Sequence, residues 1–164
     1  MTEASVGADG LVRLGAAQYR AALGRGGISA QKREGDGATP WGLLPLRRVL
    51  YRADRVRRPR SRVPTAPLAP HDGWCDDPAD RDYNRLVRLP HPARHEALWR
   101  DDAVYDVVCV LGWNDTPVRP GRGSAIFLHV ARADFAPTEG CIALALPDLL
   151  GLLEAGVTGL AVTS

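Results

Sequence analysis

Seventeen glycines and thirteen prolines punctuate the 164 residues, and this density constrains the fold more than any other feature of the chain. Glycine weakens helices and proline breaks them, and both interrupt strand interiors. The pattern therefore reads as short strands and loops rather than long helices. Residues 16–23, the turn Gly24-Arg25-Gly26-Gly27 and residues 28–32 read as a hairpin. Gly35-Asp36-Gly37-Ala38-Thr39-Pro40 is a second turn segment, followed by a strand over 42–51. Residues 61–70 carry three prolines and read as loop or edge material.

Residues 104–111 are rich in β-branched side chains and form the clearest buried strand, with Cys109 a small core residue within it. In the strand over 124–130, alternation puts Ile126, Leu128 and Val130 on one face and Phe127 and His129 on the other. A ten-residue loop, 131–140, leads to Cys141 and the apolar run 142–146. Pro147 at a helix start and Asp148 in its first turn open a short helix to about Ala155, closed by Gly156. Residues 157–162 form the last strand. Many strands with one good helix point to a mainly-β sandwich or barrel. Residues 1–14 read as an N-terminal segment and 15–164 as a single domain; no internal repeat appears.

About 45% hydrophobic and 24% charged content is ordinary for a globular chain of one core. No apolar run approaches a membrane span, and the first ten residues show neither a basic nor an apolar signal-peptide region. The net charge is +2, carried by twenty arginines and one lysine, Lys32, with eight arginines between Arg47 and Arg62. Arginine suits carboxylate or phosphate ligands through its planar fork. A nucleic-acid footprint would add overall charge or interleaved aromatics, so no nucleic-acid partner is expected. Three cysteines, Cys75, Cys109 and Cys141, imply no closed disulfide framework. The pairs His71/Cys75 and His91/His95 have i, i+4 spacing but sit among prolines, and no metal is expected.

Chemistry concentrates at His129 and Cys141. A thiol becomes a useful nucleophile when a base or positive charge favours its thiolate. Twelve positions separate the two residues, so they meet only if the strand carrying His129 and the strand following Cys141 are neighbours. Gly140 allows close backbone approach, and amides beside a nucleophile are natural oxyanion donors. Thr138 either anchors the turn or touches substrate. The bland reading is a structural His and a core thiol.

The segments Ile126-Phe127-Leu128-His129 and Thr138-Glu139-Gly140-Cys141-Ile142-Ala143-Leu144 together resemble the signature of the L,D-transpeptidase (YkuD-type) catalytic domain. Upstream, Gly35-Asp36-Gly37-Ala38-Thr39-Pro40-Trp41-Gly42 resembles that family's Gly-Asp-Gly-x-Thr-Pro-x-Gly segment. Asp72-Gly73-Trp74-Cys75-Asp76-Asp77, Asp82-Tyr83-Asn84 and Gly123-Ser124 resemble blocks of one bacterial branch. The resemblance spans roughly residues 15–160. It implies a YkuD-like β-sandwich with one or two short helices, and a cysteine-dependent acyltransferase that needs no cofactor or metal. Cys141 would attack a peptidoglycan stem peptide with His129 as base, form a thioester and pass it to an amine. Carbapenem β-lactams would acylate the same thiol. The resemblance further implies a periplasmic or cell-envelope location, and a monomer is expected. Two other readings remain: an L,D-carboxypeptidase or endopeptidase passing the thioester to water, and a non-catalytic cell-wall-binding domain.

Two departures from the family pattern matter. Glu139 stands where many members have His, and Ala143 where many have Arg. Glu139, if ionised and close, opposes thiolate formation, so Cys141 is expected to be less acidic and to lean on His129. Arg119 and Arg122, in the loop feeding the catalytic strand, are the first candidates to meet substrate carboxylates in place of the missing Arg. Trp74, Trp99 and Trp113 line a cleft or simply pack. Tyr83 and Asn84 bind stem-peptide backbone or hold a turn. Lys32 reads as a solvated surface residue, Asp36 as the centre of an Asx-turn, and Arg47 to Arg62 as a solvated basic face.

Overall fold

The computed structural model describes residues 1–164. Its strands are β1 (Glu3–Val6), β2 (Leu11–Leu14), β3 (Ala17–Ala22), β4 (Ile28–Ser29), β5 (Thr39–Pro40), β6 (Gly42–Tyr51), β7 (Thr65–Pro67), β8 (Asp72–Cys75), β9 (Arg85–Arg88), β10 (His95–Ala97), β11 (Val107–Leu111), β12 (Phe127–Val130), β13 (Ile142–Leu144) and β14 (Gly159–Val162). One helix, α1 (Leu146–Glu154), precedes the last strand. No helix is long and apolar enough to cross a membrane.

Eight strands close on themselves in the order β3, β2, β1, β14, β6, β11, β12, β13 and back to β3, with β7 beside β6. The ten-residue β6 makes the closure. Its first part, Gly42 to Pro45, pairs with β14, and Leu46 to Tyr51 pairs with β11. One strand thus belongs to both walls, so the expected two-sheet sandwich is instead a closed, barrel-like sheet with a single helix. Residues 1–14 contribute two of its strands, β1 parallel to β14 and β2 antiparallel to β1. The proline-rich β7 lies at an edge, as read from the sequence.

The expected hairpin around residues 24–27 does not form. β3 pairs with β2 and β13, whereas β4 pairs in parallel with β5. Gly24 turns the chain away because its backbone lies against residues 37–39, where a side chain would collide with the Gly37 carbonyl.

Alternation along the wall builds two apolar clusters. Inward positions of the ring, among them Val49, Cys109, Leu128, Val130, Ile142 and Leu144, join Leu149, Leu152 and Leu153 of α1 in a cluster of 21 buried residues. Each such leucine contributes about 1.5–3 kcal/mol when fully buried. Outward positions of the same strands, including Leu50, Val108, Val110 and Phe127, meet Trp74, Leu98 and Tyr105 in a second cluster. This outer face lies against the small antiparallel sheet β10-β8-β9. Cys141 belongs to the second cluster, not to the barrel interior.

Candidate active site

β12 and β13 run parallel, with Leu128 opposite Ile142 and His129 opposite Ala143. Since alternate side chains share a face, Phe127, His129, Cys141 and Ala143 all point away from the barrel interior. The loop between the strands carries the chain back, so a parallel crossover puts His129 and Cys141 on one face of neighbouring strands, at one cavity. The Cys141 thiol donates to the Ala125 carbonyl at 3.2 Å, and the Phe127 amide donates to its sulfur at 3.4 Å.

The turn before Cys141 has little freedom. Gly140 sits at φ 138°, and a Cβ there would stand 2.7 Å from the Ala38 carbonyl oxygen. Thr138 Oγ1 accepts from the Gly140 amide at 3.1 Å and donates to the Cys141 carbonyl at 2.6 Å, so its hydroxyl braces the turn. Thr39 Oγ1 accepts from the Gly24 amide at 2.9 Å, and Asp36 accepts from the Ala38 amide at 2.9 Å as an Asx-turn. The Gly-Asp-Gly-Ala-Thr segment is thus the backing of the turn that carries Cys141.

His129 is buried, and its Nδ1 lies 2.9 Å from the Val130 carbonyl oxygen. A carbonyl only accepts, so Nδ1 carries the proton and Nε2 keeps its lone pair. Burial pushes the imidazole down to about 4, with Arg100 and Arg132 adding to the effect. Burial pushes the Cys141 thiol up to about 12, reinforced by Glu96 and opposed by the Phe127 amide and Lys32. Both groups are therefore neutral near pH 7. The arrangement suits a base that removes the thiol proton as the sulfur attacks, rather than a standing thiolate–imidazolium pair.

Cys141, His129 and Ala143 open onto a cavity of about 830 Å³ whose wall includes the cations Lys32, Arg94, Arg100 and Arg132 and the acids Glu34, Asp76, Glu96 and Glu139. Thr138 also lines it. Arg119 and Arg122 do not; their backbone carbonyls accept from Asn114 and Trp113 in their own loop. Trp74 and Asn84 line a separate cavity of about 280 Å³.

A family model described as the L,D-transpeptidase catalytic domain matches residues 9–162. The chain belongs to the L,D-transpeptidase family. No curated protein and no solved structure matches it significantly.

Within this L,D-transpeptidase domain, Tyr83 and Asn84 are spent on support. Tyr83 donates to Glu34 at 2.7 Å and accepts from the Gly123 amide at 3.0 Å. Asn84 accepts from Trp74 Nε1 and from the Ala125 amide, each at 3.0 Å, and so fixes the residue whose carbonyl accepts the hydrogen bond of the Cys141 thiol. Trp74 packs edge-on against Phe127 with 5.1 Å between centroids. Trp99 lies under Arg52, and Trp113 packs on the inner cluster.

Glu139 turns to the surface and pairs with Arg25, and it is not among the groups that shift Cys141. The less acidic thiol expected from Glu139 comes instead from burial and Glu96. Lys32, read as solvated, is 4% exposed and paired with Asp36 at the cavity. Of the arginines from 47 to 62, Arg47, Arg52, Arg55 and Arg60 are each engaged by an acid.

Sequence reasoning missed Glu96, Arg94, Arg100, Tyr105 and Arg132, which come from three separate stretches and carry no motif. Elsewhere, ligating atoms of Cys75, Asp80 and His91 lie within 4.8 Å of one another. His91 is paired with Asp82 at 3.2 Å, and the Cys75 thiol faces Asp80 at 3.9 Å. The i, i+4 spacings of His71/Cys75 and His91/His95 fall on strands and loops, not on a helix.

Proposed function

We propose that this domain is a peptidoglycan L,D-transpeptidase acting through a Cys141 thioester. The observation that carries the reading is the common face of Phe127, His129, Cys141 and Ala143 at the charged cavity, with His129 Nε2 free to accept a proton. As Cys141 Sγ attacks a stem-peptide carbonyl, His129 Nε2 takes the thiol proton. The resulting imidazolium gives that proton to the departing amine, leaving the acyl group on sulfur. An acceptor amine then attacks the thioester, loses a proton to His129, and the proton returns to the leaving sulfur. The Cys141 amide is the donor beside the developing oxyanion, on a turn that Gly140 and Thr138 hold rigid.

Arg132, whose side chain is the more loosely held of the two loop cations at Asp102, takes the substrate-carboxylate role here, in place of Arg119 and Arg122. Ala143, directly opposite His129, leaves the space that a larger motif side chain would fill. With its carboxylate contacts moved to other elements, the domain is free to use a donor or acceptor position other than the usual one. The site of action is the cell envelope, as the family implies, and fractionation finding the protein solely cytoplasmic would count against it.

Incubation with a carbapenem or a stem tetrapeptide, followed by intact-protein mass spectrometry, tests the reading. A covalent adduct located on Cys141, and absent from Cys141→Ala, is expected. An unmodified native protein would overturn it.

A further inference from the structure

β10 alternates His95 and Ala97 toward solvent with Glu96 turned inward, opposite Trp74 of β8. Glu96 therefore enters the apolar cluster that holds Trp74, Tyr105, Phe127 and Cys141, and it lines the cavity of the thiol. A carboxylate in such a place is costly unless it is compensated. The compensation is thin. Tyr105 Oη donates to Glu96 Oε1, and that is its one hydrogen bond. Arg100 is nearby, but its fork is committed to Asp102 at 2.8 and 2.7 Å. The other acids of the wall are better served: Asp76 is paired with Arg94 and Glu139 with Arg25, while Glu34 receives the hydroxyls of Tyr83 and Ser124. Glu96 is the wall acid without a cation or a second donor, and its charge is felt at the Cys141 sulfur. Its partner Tyr105 lies edge-on to the His129 ring at 5.3 Å.

We propose that Glu96 is the acceptor site, binding the ammonium of the incoming amine beside the thioester and removing the proton whose loss makes it a nucleophile. The inference rests on the transpeptidase reading. An amine arrives near neutral pH as R–NH₃⁺ and cannot attack until it loses a proton. Glu96 carboxylate takes that proton, giving R–NH₂ and a neutral carboxylic acid. The nitrogen lone pair then forms the C–N bond as the C–S bond breaks. The second nitrogen proton passes through His129 to the departing Cys141 sulfur, and Glu96 afterwards returns its proton to water. Water as acceptor carries no positive charge, so hydrolysis does not need this group. Glu96 thereby becomes a determinant of transfer against hydrolysis.

Burial raises the Glu96 carboxyl above the usual carboxylate range; the Tyr105 hydrogen bond and Arg100 oppose this, and Asp76 adds to it. Lys32, Glu34, Arg94, His129, Arg132, Glu139 and Cys141 are the other titratable groups on the cavity wall. A carboxylate made more basic by burial is a better proton acceptor for an ammonium.

The experiment measures products from a stem tetrapeptide donor with a diaminopimelate-containing acceptor peptide, scoring cross-linked against hydrolysed donor from pH 4 to 9. In Glu96→Gln the ratio of transfer to hydrolysis should fall at least tenfold, and the acid limb of that ratio should vanish. Tyr105→Phe removes the phenol hydrogen bond but keeps the carboxylate, so it should move the limb to higher pH. A native protein that forms the thioester, with a Glu96→Gln variant of unchanged ratio, overturns the acceptor site alone. Equal loss of transfer and hydrolysis does the same. A native protein that forms no thioester overturns the transpeptidase reading itself. Should Glu96→Gln fail to fold, an unmoved limb in Tyr105→Phe overturns the proposal.

Discussion

Cys109 and Cys141 stand on either side of β12, and the two thiols have nearly everything in common except the face they occupy. Both are buried, and burial pushes both above the ordinary thiol range. Cys109 pairs across from Leu128 and points into the barrel among aliphatic side chains. Cys141 takes the outer face, beside Phe127 and diagonal to His129, where the small sheet encloses polar groups as well as aromatics. Burial by itself makes an inert thiol. On the proposed mechanism, reactivity is added by an imidazole with a free nitrogen, a cavity for the substrate and a turn held by Gly140 and Thr138.

This comparison can be broken most decisively at the outer thiol. Cys141→Ala should abolish turnover and adduct formation, measured by product analysis and intact mass; residual turnover would end the acyl-enzyme mechanism. His129→Ala should cost about 10³-fold or more, as the loss of a nucleophile's base does, read as kcat/KM on a stem peptide.

The same histidine sharpens the contrast through stability. Its folded pKa of about 4 lies below an unfolded value of 6.5, so between those values the unfolded chain binds more protons. Its contribution is present above pH 6.5 and is lost as pH falls toward 4. Urea unfolding at pH 5 should show about 2 kcal/mol less from this source than at pH 7, and His129→Gln should flatten the difference. A native profile no steeper than the variant's would refute the buried neutral imidazole.

Arg132→Ala should raise KM for a carboxylate-bearing donor about tenfold, as expected for losing a charge-assisted contact worth roughly 1.4 kcal/mol. Arg119→Ala and Arg122→Ala should each change it by less than about twofold. The reverse ranking would restore the loop arginines to the site. Smallest of all, Cys109→Ala should keep turnover and cost about 1 kcal/mol of stability, read as a modest fall in Tm. A large activity loss there would mean that the inner face also matters for chemistry.

The sequence revealed what is local. Alternation at 126–130 assigned both faces of β12, β6 was read over its full length, and Pro147 and Gly156 marked α1. Pairing between distant strands was not legible. The chain around Gly24 looks like a hairpin, and only its close approach to Gly37 shows why β3 and β4 part. β1 and β2 are four residues each, too short for periodicity to stand out. At the site, His129 and Cys141 were found through a motif, whereas Glu96, Arg100 and Arg132 were not. Their place on the wall comes from β10 and two loops converging on one cavity, whereas Arg119 and Arg122 stand out in the sequence only because they are near the strand of His129. Lys32 was misplaced for a related reason: a lone lysine is usually solvated, and the partner that permits its burial, Asp36, was read only as a turn residue.

The loop over 131–140 joins two parallel strands without a helix, and it also supplies Arg132, Ala136, Pro137, Thr138 and Glu139 to the cavity wall. Its far end is tied down by Thr138, which exchanges backbone hydrogen bonds with Leu23 and Arg25, and Phe135 is held under Arg20 at 4.2 Å. Arg132 to Asp134, between the end of β12 and Phe135, lie outside both anchors, whereas the imidazole sits on β12 and the thiol on the turn braced by Thr138. On the proposed reaction, inheritance of the chemistry and inheritance of partner choice are therefore separable on this scaffold. Descendants of such a domain can drift toward new acceptors by editing a few surface residues while the bond-making apparatus stays as it is.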